Sequence, residues 1–222
     1  MSTPQTTLTD WDVIYLGQGV IQSAPSRAVQ GLVPLLHAEG VNRVLDHCCG
    51  TGRHASYLTR QGFSVTATDS SRYGLALAQQ TCEGLAVDFL LCEMGALPIH
   101  DASFDAILAV QALQFGSREQ RAAAGSEILR TLRPGGILYV SVLSDQHPLF
   151  GCGTPVVGDP NSFTGLPLHG GFRHFFSAAE VRDAFGHFEI QTLEHHVGEA
   201  PTAGYFQFPL HEYRMIARKP LT

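Results

Sequence analysis

With 222 residues, 44% hydrophobic and 15% charged, the chain is long enough for one α/β domain with a well-buried core and short for two independent ones. Its formal charge of −6, a single lysine at Lys219 and scattered arginines give no basic stripe to track a phosphate backbone, so no nucleic-acid partner is expected. No window is apolar for long enough to span a bilayer, and no membrane partner is expected.

Residues 1–10 lack the basic region and apolar core of a secretory signal, and five cysteines, two of them adjacent at Cys48 and Cys49, do not form a disulfide framework. Both features point to the cytoplasm. Residues 1–40 are expected to form a helical entrance segment, with a helix over 26–37 kinked at Pro34.

From residue 43 onward, short β-branched or apolar runs alternate with helical patterns, which predicts βαβ units and a parallel sheet. Strands are expected over 43–47, 64–68, 86–91, 104–110 and 136–143. Helices over 71–83 and 117–132 cover the sheet, the second ended by Pro134-Gly135-Gly136. Residues 144–176, rich in Gly, Pro, His and Phe, show no sustained period and are expected to be an irregular insertion beside a substrate pocket. A short helix over 178–185 then leads to strands over 188–197 and 212–218, which should pair antiparallel because only a loop separates them. The whole of 1–222 is read as one domain.

The densest chemistry lies at the end of the first strand. Asp46 sits there, and Gly50 and Gly52 follow where the chain must turn into a helix and let a ligand approach the backbone. Gly50-Thr51-Gly52-Arg53-His54-Ala55 also fits the dinucleotide pattern G-x-G-x-x-A, which would make the chain a nicotinamide- or flavin-dependent oxidoreductase. However, Asp46 would repel a pyrophosphate, whereas S-adenosylmethionine brings an ammonium and a sulfonium and no phosphate. Asp69 ends the second strand, where a carboxylate accepts hydrogen bonds from both hydroxyls of an adenosine ribose in either ligand class. Capping of the helix that follows at Ser70-Ser71 is a second role for Asp69, compatible with the first.

These residues resemble the class I S-adenosylmethionine-dependent methyltransferases over about two-thirds of the chain. Val44-Leu45-Asp46-His47-Cys48-Cys49-Gly50-Thr51-Gly52 is similar to the family's V-L-D-x-G-C-G-x-G, and Asp69 matches its ribose-binding acid. Glu93-Met94-Gly95-Ala96-Leu97-Pro98-Ile99 with Ser103-Phe104-Asp105-Ala106-Ile107 looks like its D-x-x-x-L-P-F…S-F-D-x-V, and Leu132-Arg133-Pro134-Gly135-Gly136 like its L-K-P-G-G. The resemblance implies a Rossmann-like three-layer sandwich around a seven-stranded, mostly parallel sheet whose last strand is antiparallel. It implies S-adenosylmethionine as cofactor, held at Asp46, Cys48, Gly50, Gly52, Asp69 and Ser70. Glu93 and Met94 would then lie beside the adenine and Gln111 near the methionine portion, with Trp11 and Tyr15 as an aromatic entrance segment. Cys48 stands where the family usually has Gly, and Glu93 where it has Asp.

Other residue types were weighed against packing roles. Adjacent cysteines suit neither a zinc knuckle nor a C-x-x-C redox site and read as buried packing, and Trp11 with Tyr15, four apart, equally form a helical packing pair. Eleven histidines include no H-E-x-x-H spacing, so no metal is expected. His147, His169 and His174 fall in the irregular insertion, and His174, inside Phe172-Arg173-His174-Phe175-Phe176, is the expected catalytic base. His147, His169, Phe172, Tyr205 and Phe206 are expected around the acceptor. The reading is methyl transfer to a small molecule; the alternatives are an NAD(P)-dependent oxidoreductase and a noncatalytic S-adenosylmethionine-binding regulator.

Overall fold

β1 (Arg43–His47) is buried from its second residue onward, as a central parallel strand covered on both faces must be. Successive side chains point to opposite faces, so Val44 joins one core layer and Leu45 the other. The computed structural model describes residues 8–166, 171–198 and 208–221.

β1 pairs in parallel with β2 (Ser64–Asp69) on one side and β4 (Phe104–Val110) on the other. From β1 the chain winds outward to β3 (Val87–Leu91), then crosses back to β4 and β5 (Leu132–Leu143). β10 (His211–Arg218) runs antiparallel to both β5 and β9 (Glu189–Val197), completing a seven-stranded sheet in the order β3-β2-β1-β4-β5-β10-β9. This is the expected sheet, with its antiparallel strand wedged between two neighbours.

Helices cover both faces. Leu32 and Leu36 of α2 (Arg27–Ala38), Leu58 of α3 (Arg53–Arg60) and Leu75 of α4 (Arg72–Thr81) pack with Val44 and Val65. On the other face, Ile128 of α5 (Arg118–Thr131) and Val181 of α6 (Ala178–Ala184) pack with Leu45, Ile107 and Met215. Each such side chain contributes about 1.5–3 kcal/mol through burial. α5 starts with a capping box between Ser117 and Gln120, and Pro34 lies inside an uninterrupted α2. α1 (Asp10–Gln18) carries a capping box of its own, Thr9 with Asp12.

Two elements differ from the sequence reading. β5 begins four residues earlier than expected, because Leu132 pairs with Phe104 before a register shift brings Ile137 opposite Ala106. The turn residues Pro134-Gly135-Gly136 thus sit within a bulge inside the strand. The described part of the insertion also holds regular structure: β6 (Thr154–Pro155), β7 (Ser162–Thr164) and β8 (Arg173–His174) form a small antiparallel sheet over Phe163, Leu166 and Phe175. Strands of two or three residues are too short to leave a visible period. Among the described residues no helix is long and apolar enough to cross a membrane.

Candidate functional site

At the C-terminal ends of β1 and β4 the strand order reverses, leaving the crevice where open α/β sheets take their ligands. A cavity of about 450 Å³ opens there, bounded by α1, the turn after β1, the ends of β4 and β5, and the insertion.

The turn is held in a left-handed conformation at Cys48 (φ 58°), Gly50 (φ 57°) and Gly52 (φ 80°). Gly52 is needed for packing, since a Cβ there would lie 2.9 Å from the Ala78 Cβ and 3.0 Å from its Cα. At Gly50 a Cβ would lie 2.8 Å from the Tyr15 hydroxyl, so this backbone is open to close approach. Cys48 takes the same backbone region with a side chain, which costs an L-residue about 1–2 kcal/mol.

Asp69 ties the turn to β2. One of its oxygens accepts from the Gly50 N–H at 2.8 Å and the other from the Ser71 N–H at 2.9 Å. Burial pushes its carboxyl above the usual range, opposed by these bonds. Ser71 caps α4 and donates its hydroxyl to Asp12 at 2.7 Å, docking α1 against the site. Burial raises Asp12, but the hydrogen bonds from Ser71, Thr9 and Tyr73 outweigh it and leave the carboxyl lowered. On α1, Trp11 stacks on Tyr15 with centroids 5.4 Å apart and meets the Phe115 ring edge-on at 4.7 Å. Tyr15 is buried, which raises its phenol far above the usual value and keeps it neutral.

At the far end of the cavity lies a polar chain that the sequence reading did not find. Gln114 donates to Gln111 at 2.9 Å, Gln111 donates to Glu212, and Arg214 donates to Glu212 at 2.6 Å. Gln111 has positive φ (53°), and the buried Gln114 Oε1 has no partner among the described residues. Arg53 and Arg173 also line the cavity. The signal for Glu212 lay in spacing: a carboxylate on a buried strand requires a cation, and Arg214 two residues on shares its face.

Of the expected site residues, Trp11, Tyr15, Cys48, Gly50, Asp69 and Ser70 line the cavity. Met94, Gln111 and His147 line it as well. Gly52, Glu93 and Phe172 do not; Glu93 is exposed, and Gly52 packs on Ala78. Asp46 is 1% exposed and lies beneath the turn rather than at the cavity wall; burial raises it to about 7, against the Ala55 N–H and Arg53. His174, the expected base, does not line the cavity: it is wholly buried, with Nδ1 2.8 Å from Ser162 Oγ, while Nε2 lies 2.7 Å from Glu180 Oε1 without hydrogen-bond geometry. His169, Tyr205 and Phe206 lie outside the described residues. Among the described residues no group of three ligand side chains is placed to hold a metal ion.

Residues 44–136, which hold this turn and the ends of β1, β2 and β4, match the family model of a methyltransferase domain. Over these residues the chain carries a methyltransferase domain. A phthiotriol/phenolphthiotriol dimycocerosates methyltransferase of Mycobacterium ulcerans is 36% identical over 120 residues, covering 53% of this chain and 44% of the relative. The chain spans less than half the length of such curated relatives. In fold it is similar to an S-adenosylmethionine-dependent methyltransferase of Methanosarcina mazei, with a TM-score of 0.73 and 23% identity over 85% of this chain and 98% of that one. It is also similar to the 1,6-didemethyltoxoflavin-N1-methyltransferase of Burkholderia thailandensis, solved with its substrate and S-adenosylhomocysteine (TM-score 0.61, 26% identity, 87% of this chain and 79% of that one).

The donor set of the site fits S-adenosylmethionine. A carboxylate has lone pairs beyond the two that Asp69 spends on backbone N–H groups, so it retains acceptors for ribose hydroxyls. The open backbone at Gly50 and the unpartnered Gln114 Oε1 offer further polar contacts to a ligand carrying amino and carboxylate groups. Cys48 lines the cavity. Cys48→Gly is expected to relieve the backbone strain at little net cost and to keep S-adenosylhomocysteine affinity within about threefold, whereas the branched Cys48→Val should destabilise by about 1–3 kcal/mol. Calorimetric titration and urea unfolding of both variants check this; equal effects of Gly and Val would contradict it.

Proposed function

We propose that this methyltransferase transfers a methyl group from S-adenosylmethionine to a small-molecule acceptor in the cytoplasm. The observation that carries the reading is one continuous cavity, with Asp69 and the Gly50 turn at one end and the insertion at the other. Support for a small acceptor comes from the Mycobacterium and Burkholderia proteins, whose names specify small molecules or lipids. Support for the cytoplasm comes from the five cysteines, all of them free.

When bound, the cofactor supplies an electrophilic methyl group on a sulfonium. The protein's part is to hold and to align. Asp69 and the Gly50 turn fix the adenosine end, and the Arg53 guanidinium is the cation at the turn for the methionine carboxylate. Trp11, Tyr15 and Phe115 wall the cavity with aromatic surface and exclude water.

Proton removal is not what the chain is arranged for. The Leu149 N–H donates to His147 Nδ1 at 3.1 Å, so the neutral ring carries its proton on Nε2 and presents a donor. Burial lowers its pKa to about 4, consistent with a neutral ring. The cavity's carboxylates, Asp69 and Glu212, are both engaged by hydrogen bonds. Alignment alone supplies up to about 7–11 kcal/mol in favourable cases.

Calorimetry with S-adenosylhomocysteine and NAD, followed by an assay for S-adenosylhomocysteine release across a broad acceptor panel, tests the reading. Preferential S-adenosylhomocysteine binding with turnover is expected. Tight NAD binding in its place would favour an oxidoreductase, and cofactor binding without turnover of any acceptor a regulatory role.

A further inference from the structure

Three guanidinium groups line the cavity, and they are not equivalent. Arg214 is spent on Glu212, 2.6 Å away. Arg53 lies in the field of Asp46 and Glu212, at the first residue of α3. Arg173 has no carboxylate partner among the described residues. Its guanidinium lies 4.2 Å from the centroid of the Phe115 ring and gives one N–H to the Phe172 carbonyl at 2.9 Å, leaving its other donors free. Burial lowers it to about 10, so it is still charged at neutral pH.

A half-buried cation in a cavity wall, left without a counterion among the described residues, costs free energy unless a ligand brings the opposite charge. Arg173 stands on β8, in the insertion, beside Phe175 and across from His147 and Leu149, all four of them lining the cavity. It therefore enters the cavity from the insertion, far along the chain from the glycine turn. The planar face held against Phe115 fixes the plane of the guanidinium, which suits the forked geometry of a carboxylate.

We propose that the acceptor of this site is a small carboxylic acid and that Arg173 is the residue that selects it, by pairing with the carboxylate. The proposal rests on the methyltransferase reading for the identity of the other ligand, but not for the existence of an anion site. His147, with its proton on Nε2, is a second donor on the same side of the cavity. An acceptor that enters ionised also suits a site whose own carboxylates are already engaged. Arg173 and His174 are successive residues of β8, so their side chains point to opposite faces, Arg173 to the cavity and His174 into the buried interior.

The test is binding by the full chain of matched probes, carboxylic acids against their primary amides: benzoic acid with benzamide, phenylacetic acid with phenylacetamide, and decanoic acid with decanamide. Each is titrated with and without saturating S-adenosylhomocysteine. At least one acid should bind about tenfold to a hundredfold more tightly than its amide, the range of a charge-assisted pair. Arg173→Gln should abolish that preference and Arg173→Lys retain part of it, with S-adenosylhomocysteine affinity within about twofold of the parent in both. The proposal is overturned if acids and amides bind alike or none binds, if Arg173→Gln keeps the preference, or if it weakens S-adenosylhomocysteine about tenfold, which would place Arg173 on the cofactor. The acid-to-amide ratio of the unaltered protein decides even where a variant fails to fold. A chain that prefers acids but does not bind S-adenosylhomocysteine would sink the methyltransferase reading and leave the anion site standing.

Discussion

Asp69→Ala is expected to weaken S-adenosylhomocysteine binding by about a hundredfold and to lower the unfolding midpoint of the free protein as well. The two effects have separate origins. Alanine leaves the Gly50 and Ser71 N–H groups without their acceptor, at about 1–3 kcal/mol for each that stays buried, and this loosens the turn in the absence of ligand. It also removes the acceptor of two ribose hydroxyls, each worth about 1.5–3 kcal/mol when the partner is charged. Asp69→Asn keeps an acceptor oxygen and should fall between parent and alanine in both measurements. Affinity within about threefold of the parent for Asp69→Ala would remove Asp69 from the cofactor site, leaving it a cap.

Asp46→Asn should steepen the acid side of the stability profile by about 1.4 kcal/mol per pH unit. Asp46 is almost wholly buried, and its pKa rises on folding to about 7, so the folded chain holds a proton there that the unfolded chain has lost above its ordinary pKa. That favours the unfolded state as pH rises from about 4 to 7. His47 and His54 act in the opposite sense, since burial lowers them to about 4 and about 3 and they must stay neutral to remain folded. Their contribution is present above the usual histidine pKa and is lost as pH falls from about 6.5 through those values.

Between about pH 4 and 6.5 these three groups leave the unfolded chain with one proton more than the folded one, a loss of about 1.4 kcal/mol per pH unit on acidification. Removing Asp46 makes the difference two protons, and the loss about 2.7 kcal/mol per unit. Above pH 7 the variant should exceed the parent by a few kcal/mol, because a buried carboxylate no longer has to be charged. Urea unfolding at half-unit pH steps measures both; parallel acid limbs for parent and variant would contradict the assignment. A gain in stability accompanied by weaker cofactor binding would mark Asp46 as an acid kept beneath the turn for its charge.

The sheet was legible because β1, β2 and β4 are short β-branched or apolar runs alternating with helical patterns, and period is a local property. The cofactor end was legible for the same reason: Gly50, Asp69 and the turn between them are strand ends. The acceptor end was not. Glu212 and Gln111 meet across 101 positions of sequence, and Arg173 gains its meaning only from Phe115 on another element. The phenylalanine neighbours of His174 read as cavity walls in the sequence, whereas Phe176 meets it edge-on at 4.4 Å and Ser162 takes up its Nδ1. The short β6, β7 and β8 escaped notice since their order comes from pairing with one another.

The small sheet carries its own apolar cluster and its own polar fastenings, His174 to Ser162 and the bidentate Arg121–Asp159 pair. None of these involves the turn at Gly50 or Asp69. A lineage altering the segment between β5 and α6 would therefore acquire a new acceptor while inheriting its cofactor unchanged, so specificity and chemistry are free to diverge at different speeds on one scaffold.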